Sequence, residues 1–171
     1  LETERKKANR NEDGYIREIE DLEEQIRENT AFQEEQLELI ESLKAQIDDF
    51  EKEQARIVRV RKKDAAEVRK RFQTLYKRLS FHSRAVEGFL NLPEELKLKA
   101  EETILNLNEN PDQVSVKRKV FTKKSSETVL EVVFGYRGRL YFRRLKDGKI
   151  ELLVVGTKNT QAKNLEFINK L

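Results

Sequence analysis

Arginine and tyrosine alternate with apolar residues in the stretch RLYFRRL, residues 139–145, and this alternation is the clearest chemical signal in the sequence. The polar members are Arg139, Tyr141, Arg143 and Arg144. Successive side chains of a β-strand point to opposite faces, so we expect one apolar face and one basic face. Basic side chains neutralise phosphate groups, and the pattern therefore indicates nucleic-acid binding.

A second basic stretch lies on a predicted helix between Arg56 and Arg78. It contains ten Lys or Arg residues, among them Arg61, Lys62 and Lys63, against two acidic residues. We interpret it as a phosphate-contacting surface, as a solvated helix face, or as a partner for the acidic helix of another subunit.

Composition excludes several other chemistries. The 171 residues include no Cys, so neither disulfides nor thiolate metal sites are possible. The sequence contains no Walker-type glycine loop, no metal-ligand spacing and no nucleophilic triad, and we expect no cofactor. The single histidine, His82, is expected to be structural or merely exposed.

No apolar run is long enough to cross a membrane, and no signal peptide is visible. We therefore expect a cytoplasmic protein without a membrane partner. Because the chain begins at Leu1 and contains no Met, we expect it to be part of a longer protein.

Three consecutive strands are predicted near the C-terminus, at Thr128–Phe134, Arg139–Leu145 and Ile150–Val155. The turns between them carry Gly-Tyr-Arg-Gly and Asp-Gly, and the second of these is a strong hairpin signal. The stretch Leu75–Phe81 either ends the long helix or begins the sheet.

Two short helices are predicted before these strands. The first covers Arg84–Leu90, with Ser80 or Ser83 as its N-cap. The second follows Pro93, and its apolar stripe comprises Leu96, Ala100, Ile104 and Leu107.

A heptad repeat runs from Tyr15 to Ile57 in a region where acidic residues far outnumber basic ones. Ile occupies a positions, and Leu22 and Leu43 occupy d positions, which favours a parallel two-stranded coiled coil and hence a homodimer. The polar positions in the middle, which weaken the coil while fixing its register, are Asn29, Gln33 and Gln36. Beyond Ile57 the repeat slips by one residue.

Two longer segments resemble a known family. RLSFHSRAVEGFLNLPEELKLKAEETILNLNENP and RLYFRRLKDGKIELLVVGTKNTQAKNLEFINKL are similar to the opening and the ending of the RelE/ParE toxin superfamily. The resemblance implies an α+β fold class, with a coiled-coil helix over residues 1–74 followed by a RelE-like domain over residues 75–171. In that domain, two helices would pack on a mainly antiparallel four-stranded sheet.

The resemblance also implies metal-independent cleavage of mRNA on the ribosome, which needs a base, cations and a proton donor. Arg139 and Lys158 match the cationic positions, with Arg137 as an alternative to Arg139. Glu131 is either a base or a partner of Arg139, and Tyr141 stacks on a base or donates a proton.

Further residues are expected to contact nucleic acid. Tyr136 would stack on a base. Arg143 and Arg144 either form a solvated strand edge that discourages sheet pairing or bind phosphate. The remaining expected contacts are Arg137, Arg143, Lys123, Lys124, Arg61, Lys62 and Lys63.

Two functions follow from the sequence. The first is an endoribonuclease toxin on a coiled-coil stalk, in a stress or anti-phage response, with RNA, the ribosome, an antitoxin-like protein or an upstream domain as partner. The second is a non-catalytic nucleic-acid-binding or protein-binding module with a degenerate toxin fold in a larger coiled-coil assembly. The second explains why residues 130–133 lack the lysines of the family, and why the terminal helix carries Gln161, Lys163 and Asn164.

Overall fold

The computed structural model describes residues 2–171, and residue 1 of the predicted coil lies outside them. It has an α+β fold, as predicted. The helices are α1 (Glu2–Leu75), α2 (Ser83–Leu90), α3 (Glu94–Glu109) and α4 (Gln161–Lys170), with short 3-10 helices at Pro111–Gln113 and Lys158–Thr160. The strands are β1 (Leu79–Phe81), β2 (Val116–Phe121), β3 (Thr128–Phe134), β4 (Gly138–Arg144) and β5 (Ile150–Thr157). The chain divides into two units after Ile57.

The first unit is helical, as the heptad repeat predicts. Its apolar repeat positions from Tyr15 to Phe50 are between 44% and 65% exposed. A coiled coil requires a second helix, so the coil itself stays a prediction. Among the described residues, no helix is long and apolar enough to span a membrane.

The heptad repeat slips after Ile57, where the first unit ends. The part of the helix that follows belongs to the second unit and packs against its core. Phe72 is 1% exposed and belongs to the main hydrophobic core of the second unit, with Ala65 and Val68 packed against that core. The ambiguous stretch Leu75–Phe81 is divided: helix α1 ends at Leu75, and β1 begins at Leu79.

The sheet has five strands rather than the predicted four, in the order β1-β5-β4-β3-β2. β1 pairs with β5 in parallel, and all other neighbours are antiparallel. The Asp-Gly turn forms as predicted, with Gly148 at a φ of 82°. The strand beyond the predicted four is β2, whereas β1 lies within Leu75–Phe81, the stretch whose alternation left helix and strand open.

One face of the sheet packs against α2 and α3. The predicted stripe of α3 is confirmed, since Leu96, Ala100, Ile104 and Leu107 are all buried. The predicted serine caps of α2 are wrong, because the Nδ1 atom of His82 accepts the backbone N–H of Arg84 at 3.1 Å. His82 is therefore a structural N-cap, as expected for a histidine outside the predicted site.

The other face of the sheet is covered in part by α4. A second hydrophobic core joins Val129, Tyr141 and Leu153 of the sheet to Ile168 of α4. The expected open basic face is therefore wrong at its centre, where Arg139 and Tyr141 are buried. Alternation along β4 predicted which residues share a face but not that a helix covers that face.

Candidate functional site

The predicted site residues fall into separate groups. Glu131, Arg139, Tyr141 and Arg143 lie on the face covered by α4, where Glu131 is directly opposite Tyr141 in the strand register. The remaining predicted residues lie in the β3–β4 turn (Tyr136 and Arg137), at the start of the second 3-10 helix (Lys158), in the β2–β3 loop (Lys123 and Lys124) and on α1 (Arg61, Lys62 and Lys63).

Glu131 is fully buried at the centre of a polar network. Its Oε2 atom accepts hydrogen bonds from the Tyr141 hydroxyl at 2.6 Å, from Arg118 Nη2 at 3.0 Å and from Gln161 Nε2 at 3.0 Å. Its Oε1 atom is buried and has no hydrogen-bond partner among the described residues. The expected pairing of Glu131 with Arg139 is wrong, because a register shift in β2 places Arg118 opposite Glu131.

The network determines the charge of its two central groups. Burial raises the pKa of Glu131, but the hydrogen bonds from Tyr141, Arg118 and Gln161 outweigh this effect and bring the pKa below its ordinary value. Burial and the hydrogen bond to Glu131 raise the pKa of Tyr141 to about 12. At neutral pH, Glu131 is therefore an anion and Tyr141 a neutral donor. A carboxylate that accepts three hydrogen bonds is a weak base.

Among the described residues, Arg139 is the only arginine on this face that is buried and makes no hydrogen bond to a carboxylate. It is 6% exposed, and its Nη1 atom donates to the backbone oxygen of Gly138 at 2.9 Å. Its Nε atom is buried and has no acceptor. A buried guanidinium with unused donors is suited to bind an anion such as phosphate.

Two further cationic residues lie near the start of β4. The backbone N–H of Lys158 donates to the backbone oxygen of Arg137 at 2.8 Å, which holds the second 3-10 helix beside the β3–β4 turn. The Nε atom of Arg137 is also buried and has no hydrogen-bond partner among the described residues. The Arg137 guanidinium lies 5.1 Å from the ring centre of Tyr136, which is 69% exposed. This turn therefore presents a cation and an aromatic surface together.

The β2–β3 hairpin forms a third cationic group. No Asp or Glu occurs between Gln113 and Ser126, and Phe121 of β2 is 71% exposed. We define the hairpin cations as Lys117, Arg118, Lys119, Lys123 and Lys124. Sequence reasoning missed the first three and Phe121, although a count of charges between Gln113 and Ser126 would have found the cations.

Arg143 is more completely neutralised than the other predicted cations. Its guanidinium binds Glu151 at 2.7 Å and also Glu127, while Arg144 binds Asp112 at 2.8 Å. The alternative interpretation of these arginines as a strand edge is wrong, because β4 lies between β3 and β5.

The α1 cations are exposed on the part of the helix that belongs to the second unit. Arg61 and Lys62 line a groove of about 320 Å³ together with Val58, Leu90 and Asn91, and Lys63 lies outside it. Among the described residues, no group of three or more His, Asp or Glu side chains could hold a metal ion.

Comparison with known proteins gives one weak likeness to report. No protein-family model matches the chain, and no curated protein matches it. Among solved structures, the chain is similar to a chain of the archaeal RelE-RelB complex from Pyrococcus horikoshii OT3, at 17% identity and a TM-score of 0.37. The similar region covers 47% of this chain and 92% of that chain.

Proposed function

We propose that residues 58–171 bind RNA through the cations at the start of β4 and the hairpin cations. The observation that carries this proposal is Arg139, a residue that is only 6% exposed, with a buried, unbonded Nε atom and no carboxylate partner among the described residues. A buried charge without a counter-ion is costly, and a bound anion removes that cost.

A polymer of phosphates explains the remaining charges better than a single small anion does. Arg137 and Lys158 lie near Arg139, and the hairpin cations form a second group on neighbouring strands. The exposed rings of Tyr136 and Phe121 provide stacking surfaces for unpaired bases, as is common in proteins that bind single-stranded RNA. The sequence resemblance to RNA-cleaving toxins also favours RNA.

The test measures the binding of a labelled single-stranded RNA to the full chain at several salt concentrations. The variant Lys123→Ala/Lys124→Ala removes two exposed cations, and each phosphate contact contributes about 0.7 to the slope of log K against log salt for single strands. We expect the slope to fall by about 1.4. The matched control, Lys44→Ala/Lys52→Ala, removes the same charge from the first unit and should leave the slope unchanged.

Arg139 requires a separate variant, because alanine at a buried position also disturbs packing. Arg139→Lys keeps the charge but loses the planar fork of donors. Because the variant loses one charge-assisted hydrogen bond, we expect RNA binding to be about tenfold weaker. The circular dichroism spectrum should stay unchanged. Absence of RNA binding by the unmodified chain at low salt would overturn the proposal.

RNA cleavage without metal is a second candidate, favoured by the unpartnered Oε1 atom of Glu131 next to the Tyr141 hydroxyl. A free carboxylate oxygen accepts a proton, and removal of a proton from a 2′-hydroxyl starts this type of cleavage. We rank it second because both side chains are fully buried and the carboxylate is a weak base.

Cleavage is tested by mapping RNA 5′ ends in bacteria that express the chain. New ends and growth arrest, both abolished by Arg139→Lys and by Lys158→Ala in soluble, folded protein, would support it. Soluble folded protein with normal growth and no new ends would contradict it and leave the binding proposal in place.

Homodimerisation through Tyr15–Ile57 belongs to the same proposal. The exposed apolar stripe of the first unit supports it, since a single helix gains little stability from such a stripe without a partner. An antitoxin-like protein or an upstream domain stays an expectation from the sequence resemblance.

A further inference from the structure

We propose that two copies of the chain pair through the first unit as a parallel coiled coil in exact register, with the polar layers at Asn29, Gln33 and Gln36 setting the orientation. This inference deepens the homodimer part of the proposed function and does not depend on RNA binding. The contact surface is the heptad stripe from Tyr15 to Ile57, which we call the seam.

The exposure of the seam indicates an interface. Every described residue up to Ile57 is exposed, including the large apolar seam residues Ile19, Leu22, Ile26, Ile40, Leu43, Ile47 and Phe50. On both sides of the polar positions, the seam leaves more aligned apolar surface in water than a monomeric protein ordinarily does. Seam positions three and four residues apart are those that a second helix covers by knobs-into-holes packing.

The polar positions identify the partner as a second copy in the same direction. In a parallel pair in register, each seam residue faces its own copy, so Asn29, Gln33 and Gln36 each meet an identical amide. Primary amides carry both donors and acceptors, so two of them satisfy each other by hydrogen bonding. The layers formed by Ile and Leu then contain no polar side chain.

Antiparallel pairing matches the seam less well. In the most favourable antiparallel register, Gln33 faces Gln36 and Ile26 faces Leu43, which are good layers. That register also places Asn29 against Ile40 on both sides of the centre, where the amide finds no partner. An unpaired buried amide destabilises the antiparallel alternative.

Residues that flank the seam add a second argument. In a parallel coil, the g position of one helix lies beside the e′ position five residues further along its partner. This relation joins Phe32 to Leu37 of the partner copy, both of which are exposed in the single chain. The pair supplies apolar contact at the place where the seam itself is polar.

The flanking charges make the association sensitive to salt. The same g–e′ relation brings Glu18 beside Glu23 of the partner copy, a repulsive pair. Screening weakens repulsion between exposed charges, so the parallel dimer should become tighter as salt increases.

Cysteine cross-linking tests the orientation cleanly because the chain has no native cysteine. In the parallel pair, Ile26→Cys should form a disulfide with its own copy, and Leu43→Cys should do the same. In the antiparallel register, two copies of position 26 lie about 25 Å apart, from 17 residues at ~1.5 Å each, and cannot be joined. Mixing the two variants would then be required for cross-linking.

The control is Ala45→Cys, at an exposed f position that points away from the partner in either orientation. It should stay uncross-linked under the same oxidation. Light scattering on the unmodified chain should give twice the chain mass, and each variant is measured in the same way to show that it still associates. A monomer, a trimer or a tetramer would overturn the proposal, as would cross-links that form only in the mixture of Ile26→Cys and Leu43→Cys.

A final variant tests the role of the polar layers. Replacement of Asn29, Gln33 and Gln36 by Leu should strengthen association and allow both orientations, so that mixtures of Ile26→Cys and Leu43→Cys made in this background also cross-link. An unchanged cross-linking pattern would show that the polar layers do not set the orientation.

Discussion

The two faces of the β-sheet are almost equally closed to water at the central strand, but they differ in chemistry. On the face that α2 and α3 cover, Leu140 and Phe142 are fully buried among apolar side chains. On the face that α4 covers in part, the alternate positions of the same strand carry Arg139 and Tyr141.

This difference separates stability from function. Burial on the first face is favourable for every side chain, at roughly 25 cal/mol for each Å² of apolar surface. Burial on the second face is favourable only where polar groups find partners. Tyr141 has such a partner in Glu131, whereas the Nε atom of Arg139 has none among the described residues. Unsatisfied buried groups of this kind are expected at functional sites.

The largest effect is expected on the first face. Phe142→Ala removes a fully buried ring and should lower the free energy of unfolding by about 3–5 kcal/mol. Urea denaturation, monitored by the near-ultraviolet circular dichroism of the tyrosines, measures the loss. The control is Phe121→Ala, whose ring is largely exposed and whose removal should cost less than about 0.5 kcal/mol. Equal losses would contradict the assignment of the core to this face.

An intermediate effect is expected from the polar network. Glu131→Gln removes the charge that three donors share and should lower the free energy of unfolding by about 1–3 kcal/mol at neutral pH. The folded-state pKa of Glu131 lies below its ordinary value, so the stabilisation is present above the unfolded pKa of about 4.3 and disappears as the pH falls through the folded pKa. The difference between variant and unmodified chain should therefore shrink in acid.

Urea denaturation at a series of pH values measures this dependence. Glu127→Gln serves as the control, because its partly exposed ion pair with Arg143 contributes about 0–1 kcal/mol. A difference between Glu131→Gln and the unmodified chain that stays constant from neutral to acid pH would show that Glu131 is not held as an anion by its neighbours.

The smallest effect on stability is expected for Tyr141→Phe, which removes one hydrogen bond worth about 1 kcal/mol at neutral pH. The effect of this variant on tyrosine ionisation is a more specific test than its effect on stability. Because the pKa of Tyr141 is raised to about 12, the neutral side chain stabilises the fold below its unfolded pKa of about 10, and this contribution is lost as the pH rises towards 12.

Tyrosinate absorbance during an alkaline titration should therefore lose its transition near pH 12 in Tyr141→Phe and keep it in the control Tyr136→Phe. A transition near pH 12 that persists in Tyr141→Phe would show that another group is responsible.

Local patterns predicted those parts of the fold that depend on near neighbours. The stripe of α3 follows from spacing of three and four residues, and the turn at Asp147-Gly148 follows from the tolerance of glycine for positive φ. Long-range pairing was not predictable in the same way. The pattern of Leu75–Phe81 left a strand open, but the parallel pairing of β1 with β5 joins residues far apart in the chain.

The candidate site shows the same division. Alternation along β4 placed Arg139 and Tyr141 on one face, and the register of β3 and β4 then brought Glu131 opposite Tyr141. The partner Arg118 was missed because the shift in β2 between Val116 and Arg118 changes which residues face each other.

Periodicity and turn chemistry over a few residues were enough to predict the long helix, the three-stranded meander and the position of Arg139 and Tyr141 on one face. Long-range packing places α4 over part of that face and joins Glu131 to Arg118 and Gln161 rather than to Arg139. Those contacts join residues 13 and 30 positions apart, and their geometry depends on how strands and helices pack rather than on any local pattern.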